Sequence, residues 1–498
     1  MKITATHLYN FSQCAHRVYR DAYDDPSKRD KVNEFVEMLW ERGLQHEKNI
    51  IGSWKYTREI TDISLVSKDQ RFSATMQAIE EKKPCIYQGR LEVDELVGEP
   101  DLLILGPNGV YMPVDIKSGS GIEGMPEGGE GKLKKHYALQ LGVYVDALRR
   151  LGIIEHYEGR IIDKDASETV YDFTTQRGSR SKETWWDFYV RTLEDVRAVL
   201  LKNTPTAPAL GSLCTLCHWY STCKARCIAS DDVSLIPELG ASKKKALEDS
   251  IHSFRELAEF DREDFQELKK EKKFPGIGLK MFDRFALRAD LLSRKDAQPI
   301  ITHPFTLPEK PIELFFDIEA DPTRDLIYLH GIVERRVATN EERFLAFTAE
   351  DVSPEAEKKA WSEFWNYIRS LTPNDFSVYY YSKYEVTQYK KLREKYPDVV
   401  TEEELENFFQ KDKAIDLYYD IIKKYTEWPT YNHSIKTLAV YCGFTWRDPH
   451  PSGAASIQWF NEWVEDRDPK KLQRILDYNE DDCIATRVLK DRLVELIS

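Results

Sequence analysis

Val114-Asp115-Ile116-Lys117, preceded by Gly98-Glu99-Pro100-Asp101, is the stretch from which the first half of the chain is read. It closes an extended run that begins at Cys85. Ile86, Tyr87, Leu91, Val93 and Val97 lead into Leu102–Leu105 and Val110–Ile116, and turn signals at Gly98 and Gly106-Pro107-Asn108-Gly109 cut the run into strands. A carboxylate at one strand end and an Asp-x-Lys on the next can bring two carboxylates and an ammonium together. Carboxylates in that setting bind Mg²⁺ or Mn²⁺ through oxygen, and the lysine orients a water nucleophile.

Upstream, Phe35, Val36, Leu39, Trp40 and Leu44 recur at helical spacing, which predicts a helix around Glu34–Ile50. That helix carries His46, a candidate nitrogen ligand to the same metal. Downstream, six glycines between Gly119 and Gly131 predict a flexible loop, and a helix is expected over Leu133–Leu151. Gln140 and Tyr144 are four apart on that helix, hence on one face, and are candidates to touch DNA or the metal site. A strand at Tyr157–Ile162 and a helix over about Glu183–Leu201 complete this part.

The chain has 498 residues, and at roughly 150 per domain it divides into about three domains. Hydrophobic content of 41% excludes global disorder. No apolar run is long enough to span a bilayer and the start lacks a signal-peptide core, so a cytoplasmic protein without membrane partners is expected. The net charge is −14, which seen alone argues against a nucleic-acid partner. Residues 311–498 hold −11 of it, however, so the first 310 residues are near neutral and are the better place for a nucleic acid.

Four of the eight cysteines, Cys214, Cys217, Cys223 and Cys227, fall within 14 residues. Without a secretory signal this reads as metal binding before disulfides. Cys214-x2-Cys217-x5-Cys223 offers three thiolates to zinc or an iron–sulfur cluster, completed by Cys227, His218 or the distant Cys14. Cys85, Cys442 and Cys483 read as buried thiols.

The last segment opens with Phe315-Phe316-Asp317-Ile318-Glu319-Ala320, which sets Asp317 and Glu319 on one strand face. Like charges so placed repel unless a cation lies between them. Near the end, Tyr478-Asn479-Glu480-Asp481-Asp482 is helical, with Tyr478 and Asp482 sharing a face. Asp317, Glu319 and Asp482 plus a fourth carboxylate could hold a metal pair for phosphodiester hydrolysis, with Tyr478 orienting the attacking water. Between the halves, Ile236-Pro237-Glu238-Leu239-Gly240 and Pro275-Gly276-Ile277-Gly278-Leu279-Lys280 read either as hairpins whose backbone N–H groups bind phosphates or as ordinary caps of a helical spacer.

The ordered set His46, Asp101, Asp115-x-Lys117 and Gln140-x3-Tyr144 resembles the RecB-type branch of the PD-(D/E)XK nucleases. That resemblance implies a restriction-endonuclease-like domain in which Asp101, Asp115 and Lys117 are catalytic and His46 joins the metal ligands. In the iron–sulfur subgroup one cysteine precedes the nuclease core and three follow it. The implied [4Fe–4S] cluster sits on Cys14, Cys214, Cys217 and Cys223, with zinc as the alternative. The Asp-x-Glu strand and Tyr-x3-Asp helix resemble the tyrosine-type DEDD exonucleases of RNase H-like fold. The fourth carboxylate is then Glu385, in Tyr380-Tyr381-Ser382-Lys383-Tyr384-Glu385, with Asp416 as competitor. The middle hairpins resemble helix–hairpin–helix elements, which makes Gly276 and Gly278 candidate nucleic-acid contacts.

The expected architecture is α/β and multidomain: a RecB-like domain over 1–230, a helical segment over 231–303 and an RNase H-like domain over 304–498. The expected function is a Mg²⁺- or Mn²⁺-dependent DNA exonuclease with two centres, acting in DNA repair, processing or defence. Relatives of this fused type often continue into a helicase, so a helicase partner is possible. Two rival readings stay open: trimming of RNA 3′ ends by the C-terminal site alone, and a non-catalytic nucleic-acid-binding scaffold.

Overall fold

Leu102–Leu105 and Tyr111–Ile116 pair antiparallel, Leu102 opposite Val114 and Leu105 opposite Tyr111. The turn between them closes through the Gly106 N–H to the Val110 carbonyl, with Gly109 at φ +74, where a side chain would be strained. The computed structural model describes residues 1–32, 34–54, 59–124, 131–178, 181–449 and 451–497, with the side chains of 34 and 35 left aside. They form two compact units, one of residues 1–208 and 212–223, the other of 209–211 and 224–498. The helical segment expected as a separate domain over 231–303 is thus part of the same unit as the C-terminal domain.

In the first unit the main strands are β1 (Ile60–Asp62), β2 (Cys85–Tyr87), β3 (Leu102–Leu105), β4 (Tyr111–Ile116), β5 (Glu158–Ile162) and β6 (Glu168–Asp172). They lie in the order β6-β5-β4-β3-β2-β1. Pairing is parallel between β4 and β5 and between β1 and β2, and antiparallel elsewhere. Alternation along the strands sends Ile86, Leu103 and Ile161 to one face. There they pack with Leu139, Val143 and Leu148 of helix α4, and with Leu193 of helix α5. Cys85, Leu102, Val114, Ile116 and Ile162 point to the other face and meet Ile50 and Ile51 of helix α3. The helices are α1 (Ala5–Gln13), α2 (Ala15–Tyr23), α3 (Glu34–Trp54), α4 (Lys135–Arg150) and α5 (Trp185–Leu200). The Gly-rich stretch carries a short pairing of Ile122–Glu123 with Lys132–Leu133. Its centre, 125–130, lies outside the described residues.

In the second unit the main strands are β7 (Ile312–Asp321), β8 (Leu326–Arg336), β9 (Glu341–Thr348), β10 (Phe376–Tyr380) and β11 (Ala414–Asp416), in the order β9-β8-β7-β10-β11. β7 is buried almost throughout because both faces are covered. Phe316, Ile332 and Val378 pack with Trp361, Phe364 and Trp365 on one side. Phe315, Val333 and Tyr379 meet Cys483, Leu489 and Leu493 on the other.

The helices named below are α6 (Leu279–Ser293), α7 (Pro354–Ser370), α8 (Tyr384–Lys395), α9 (Ile435–Tyr441), α10 (Gly453–Asp466) and α11 (Pro469–Ile497). The helical segment before β7 has its own core of Val233, Leu247, Phe265, Phe274, Ile277 and Phe282, and that core includes Cys227. It joins the sheet domain through Ile300–Ile301, paired with Thr426–Glu427, and through the fully buried Arg288, bonded to Glu427 and the Pro237 carbonyl. No helix among the described residues is long and apolar enough to cross a membrane.

Candidate active sites

Asp101, at the entry to β3, and Asp115, near the end of β4, come together because the two strands are paired. The Asp101 carboxylate accepts the Ile116 N–H at 2.7 Å, and Asp115 forms a 3.0 Å ion pair with Lys117. Asp115 is 1% exposed, while the Lys117 side chain keeps 21%, so the ammonium is the reachable end of the pair. Burial, then the charge of Asp115, pushes the Asp101 carboxyl well above its usual range. Burial opposes the Lys117 charge, but Asp115 and Asp101 outweigh it and hold this lysine above the ordinary lysine value.

Two of the expected partners are placed differently. Helix α3 covers the face of Val114 and Ile116, opposite to that of Asp115, and His46 Nε2 lies 3.1 Å from the Asp163 carbonyl oxygen. The α3 residue directed to the carboxylates is its neighbour Glu47. It accepts from Tyr87 and from Gln88 Nε2, and the same amide reaches Asp101 Oδ1 at 3.2 Å. Tyr144 is 2% exposed, packed against Gly98, and receives a 3.2 Å bond from Gln140. Its ring is therefore part of the core, and burial prevents it from touching a nucleic acid. Of this pair only Gln140 keeps partial exposure.

The ends of the same unit carry the thiols. Cys14 interrupts α1 and α2 with extended backbone, and none of the eight cysteines is in a disulfide. Burial raises the Cys217 thiol, the Trp219 N–H and Arg17 lower it, and Cys14 and Cys223 raise it further, so these three sulfurs share one neighbourhood. Cys214 adjoins them through its carbonyl, which accepts the Cys217 N–H. Arg20 donates to Cys223 Sγ at 3.3 Å and lies 4.1 Å from the Trp219 ring centroid. Asp21 holds His218 at 2.6 Å and the Trp219 indole at 2.9 Å. His218 is thereby engaged away from sulfur. Cys227 is fully buried among the apolar residues of the helical segment, where its role is packing. Cys85 and Cys483 are buried as expected, whereas Cys442 is half-buried.

In the second unit, strand alternation points Asp317 and Glu319 towards α11, and they meet Asp482 there. One oxygen from each lies within 4.8 Å of the others. Burial and then Asp482, Glu319 and Glu385 push Asp317 well above the carboxylate range. Burial and Asp482 bring Glu319 to about 8, and burial raises Asp482 against the pull of Lys436 and Trp446. Three crowded carboxylates with these shifts are a donor set suited to a hard divalent cation, which would relieve both the burial and the mutual repulsion.

Glu385, at the start of α8, contributes to the field on Asp317 but its oxygens lie outside that close group. Burial raises it to about 8. Asp416 instead caps the chain after β11, accepting the N–H groups of Ser382, Tyr418 and Tyr419. Its charge acts on Glu385.

Several residues around these carboxylates carried no assigned role in the sequence reading. Asn479 Nδ2 donates to Asp317 Oδ2 at 2.8 Å, and the Trp446 indole donates to Asp482 Oδ1 at 2.7 Å. Ser456 and Tyr328 bond each other beside Glu319. Lys436 donates to Tyr478 Oη at 3.1 Å. Asp481 faces away and is clamped by the backbone N–H and guanidinium of Arg447, which fixes the loop bearing Trp446 on α11. The tyrosine motif hinted at Asn479. Lys436, Trp446 and Ser456 come from separate elements and have no local signature.

Both middle motifs lie at the start of a helix. Gly276 (φ +74) and Gly278 precede α6 with open space beside them, while Ile277 is buried. In the first copy Glu238 takes the left-handed conformation, φ 65, and its carboxylate pairs with Arg288 and Lys423. This motif's acidic side chain is thus engaged in docking the helical segment to the sheet domain.

A family model described as the PD-(D/E)XK nuclease superfamily matches residues 10–224, and one described as the RNase H superfamily matches residues 314–494. No curated protein matches the chain. The first match spans Cys14, Asp101, Asp115 and Lys117, and the second spans Asp317, Glu319, Glu385 and Asp482. The chain thus joins a domain of the PD-(D/E)XK nuclease superfamily to a domain of the RNase H superfamily, both classes of metal-dependent phosphodiester-hydrolysing nuclease.

Proposed function

We propose that the chain is a DNA exonuclease with two hydrolytic centres, one at Asp101, Asp115 and Lys117 and one at Asp317, Glu319, Asp482 and Glu385. The observation that carries this is the gathering of three carboxylates, Glu319 buried and Asp317 and Asp482 half-buried, within 4.8 Å of one another in a domain of a nuclease superfamily. Mg²⁺ or Mn²⁺ bound there supplies positive charge to the phosphate and activates water. Asn479 and Trp446 each tie down one carboxylate oxygen, so the free oxygens keep a fixed direction. Tyr478, one helical turn before Asp482 on the same helix, holds the attacking water. In the first centre Lys117 orients the nucleophile beside Asp115. The exposed Gly276 and Gly278 backbone supports phosphate contact by the helical segment.

The structural role of a [4Fe–4S] cluster on Cys14, Cys214, Cys217 and Cys223 belongs to the same reading. It would tie the two chain ends of the first unit together. The Arg20 and Trp219 N–H groups at the sulfurs suit thiolates of net negative charge. Iron and acid-labile sulfide analysis tests it, and one zinc without iron would replace the cluster by a zinc site.

The deciding experiment is end-labelled cleavage of single- and double-stranded DNA and RNA by the wild type, Lys117→Ala and Asp317→Ala. Each variant is expected to lose one activity on DNA. Cleavage by the double variant at the wild-type rate would remove both assignments. Preferential digestion of RNA sensitive only to Asp317→Ala would install the RNA reading, and binding without any cleavage the scaffold reading.

A further inference from the structure

Lys436 stands on α9, and its ammonium has two fixed acceptors: the Pro451 carbonyl at 2.6 Å and Tyr478 Oη at 3.1 Å. Neither is a carboxylate, so the charge is not consumed in either contact. It stands 5.0 Å from the Tyr478 ring centroid, beside the helix face that Tyr478 shares with Asp482. An ammonium can only donate. The Tyr478 oxygen must therefore accept from Lys436, and its own proton is left to turn towards Asp482, one helical turn further along α11. One lone pair of Oη then remains to accept from a water.

We propose that Lys436 is a positioning residue for the C-terminal centre. It acts through Tyr478 by fixing which way the phenol donates and accepts, and it opposes the incoming cation electrostatically. Nothing in the Asp-x-Glu or Tyr-x3-Asp patterns assigns this role. The lysine belongs to a different helix and is held in place by the Pro451 carbonyl, ahead of α10. The proposal rests on the C-terminal hydrolytic reading above.

Its two parts predict opposite changes on removing the charge. A residue that merely held the fold would, when lost, weaken both metal binding and catalysis. A cation set beside a metal site and acting through a tyrosine should, when lost, slow the reaction while tightening the metal. The test uses the full chain in a Lys117→Ala background, so that cleavage of a labelled single-stranded DNA reports on this centre.

Lys436→Met is expected to lower kcat by about 10- to 100-fold with KM within about threefold. Its Mn²⁺ affinity, read by calorimetry as the component absent from Asp317→Asn, should rise by about fivefold or more. Lys436→Arg, which keeps donors and charge, should recover most of kcat. In a Tyr478→Phe background Lys436→Met should cost less than about threefold more, because residues acting as one unit are not additive.

Unchanged or weaker Mn²⁺ binding in Lys436→Met overturns the proposal, whether or not cleavage is detected. So does full additivity with Tyr478→Phe. A wild type lacking Asp317-dependent cleavage would instead remove the hydrolytic reading, and Mn²⁺ affinity would still decide on Lys436.

Discussion

A Cβ placed on Gly331 would stand 1.6 Å from the side-chain oxygen of Asn479. Gly331 lies opposite Asp317 in the β7–β8 ladder, so the space it leaves is where Asn479 enters to hold the Asp317 carboxylate. The same amide oxygen is buried without a donor, which makes Asn479 a side chain kept by shape and one strong bond.

Gly331→Ala therefore forces Asn479 or β8 to move. Overpacking of this kind costs about 1–3 kcal/mol. We expect that loss in urea unfolding of the second unit, together with at least about a tenfold fall in Asp317-dependent cleavage. Cleavage that depends on Lys117 should be unaffected. A Gly331→Ala variant with unaltered Asp317-dependent rate would show that Asn479 does not position the carboxylate.

Lys117 is a structural cation as well as a candidate catalytic one, because Asp115 is almost fully buried beside it. Lys117→Ala should abolish cleavage at the first centre and also lower stability by about 1–3 kcal/mol through the uncompensated carboxylate. Lys117→Arg should restore stability without restoring the rate. Equal thermal midpoints for wild type and Lys117→Ala would contradict the ion pair.

Arg288 is 0% exposed and Glu427 3%, which makes their bond a buried ion pair. Removing one partner strands the other. Arg288→Ala is expected to destabilise the second unit by about 3–5 kcal/mol, and Arg288→Met with Glu427→Leu to recover at least half of it. Chemical denaturation of the four proteins in a double-mutant cycle measures this. An additive cycle would mean the pair is not coupled.

His330 is buried in the sheet domain with Nδ1 2.7 Å from the Tyr389 hydroxyl, and burial lowers its pKa to about 3. The unfolded chain takes up the proton near pH 6.5 and the folded one does not. Its contribution is complete above pH 6.5 and is lost as pH falls towards 3. Between pH 7 and pH 5 the wild type should lose about 2 kcal/mol more than His330→Phe. Parallel stability curves for the two proteins would show that His330 is not the neutral buried group described.

The alternation of apolar residues and the spacing of acids determined much of this protein on their own. Val114-Asp115-Ile116-Lys117 implied a strand ending in an acid–base pair, and Asp317-x-Glu319 implied two carboxylates on one face, because a strand repeats every two residues. The strands and helices around them followed from period and turn residues. What a local pattern cannot carry is the identity of neighbours from other elements.

Which face of the first sheet α3 covers decided that Glu47, not His46, turns to Asp101. The depth of α4 in the core decided that Tyr144 is buried. Glu385 faces Asp317, whereas Asp416 caps a turn, because α8 starts beside β7 and the cap needs a short acid after β11. Cys227 packs in the helical segment although it follows Cys223 by a single helical turn. Lys436 meets Tyr478, Trp446 meets Asp482 and Gly331 makes room for Asn479 only because α9, the Arg447 loop and β8 converge there. Side-chain chemistry and period are written locally, but distance between elements is set by packing, and it is distance that turns separate acids into one site.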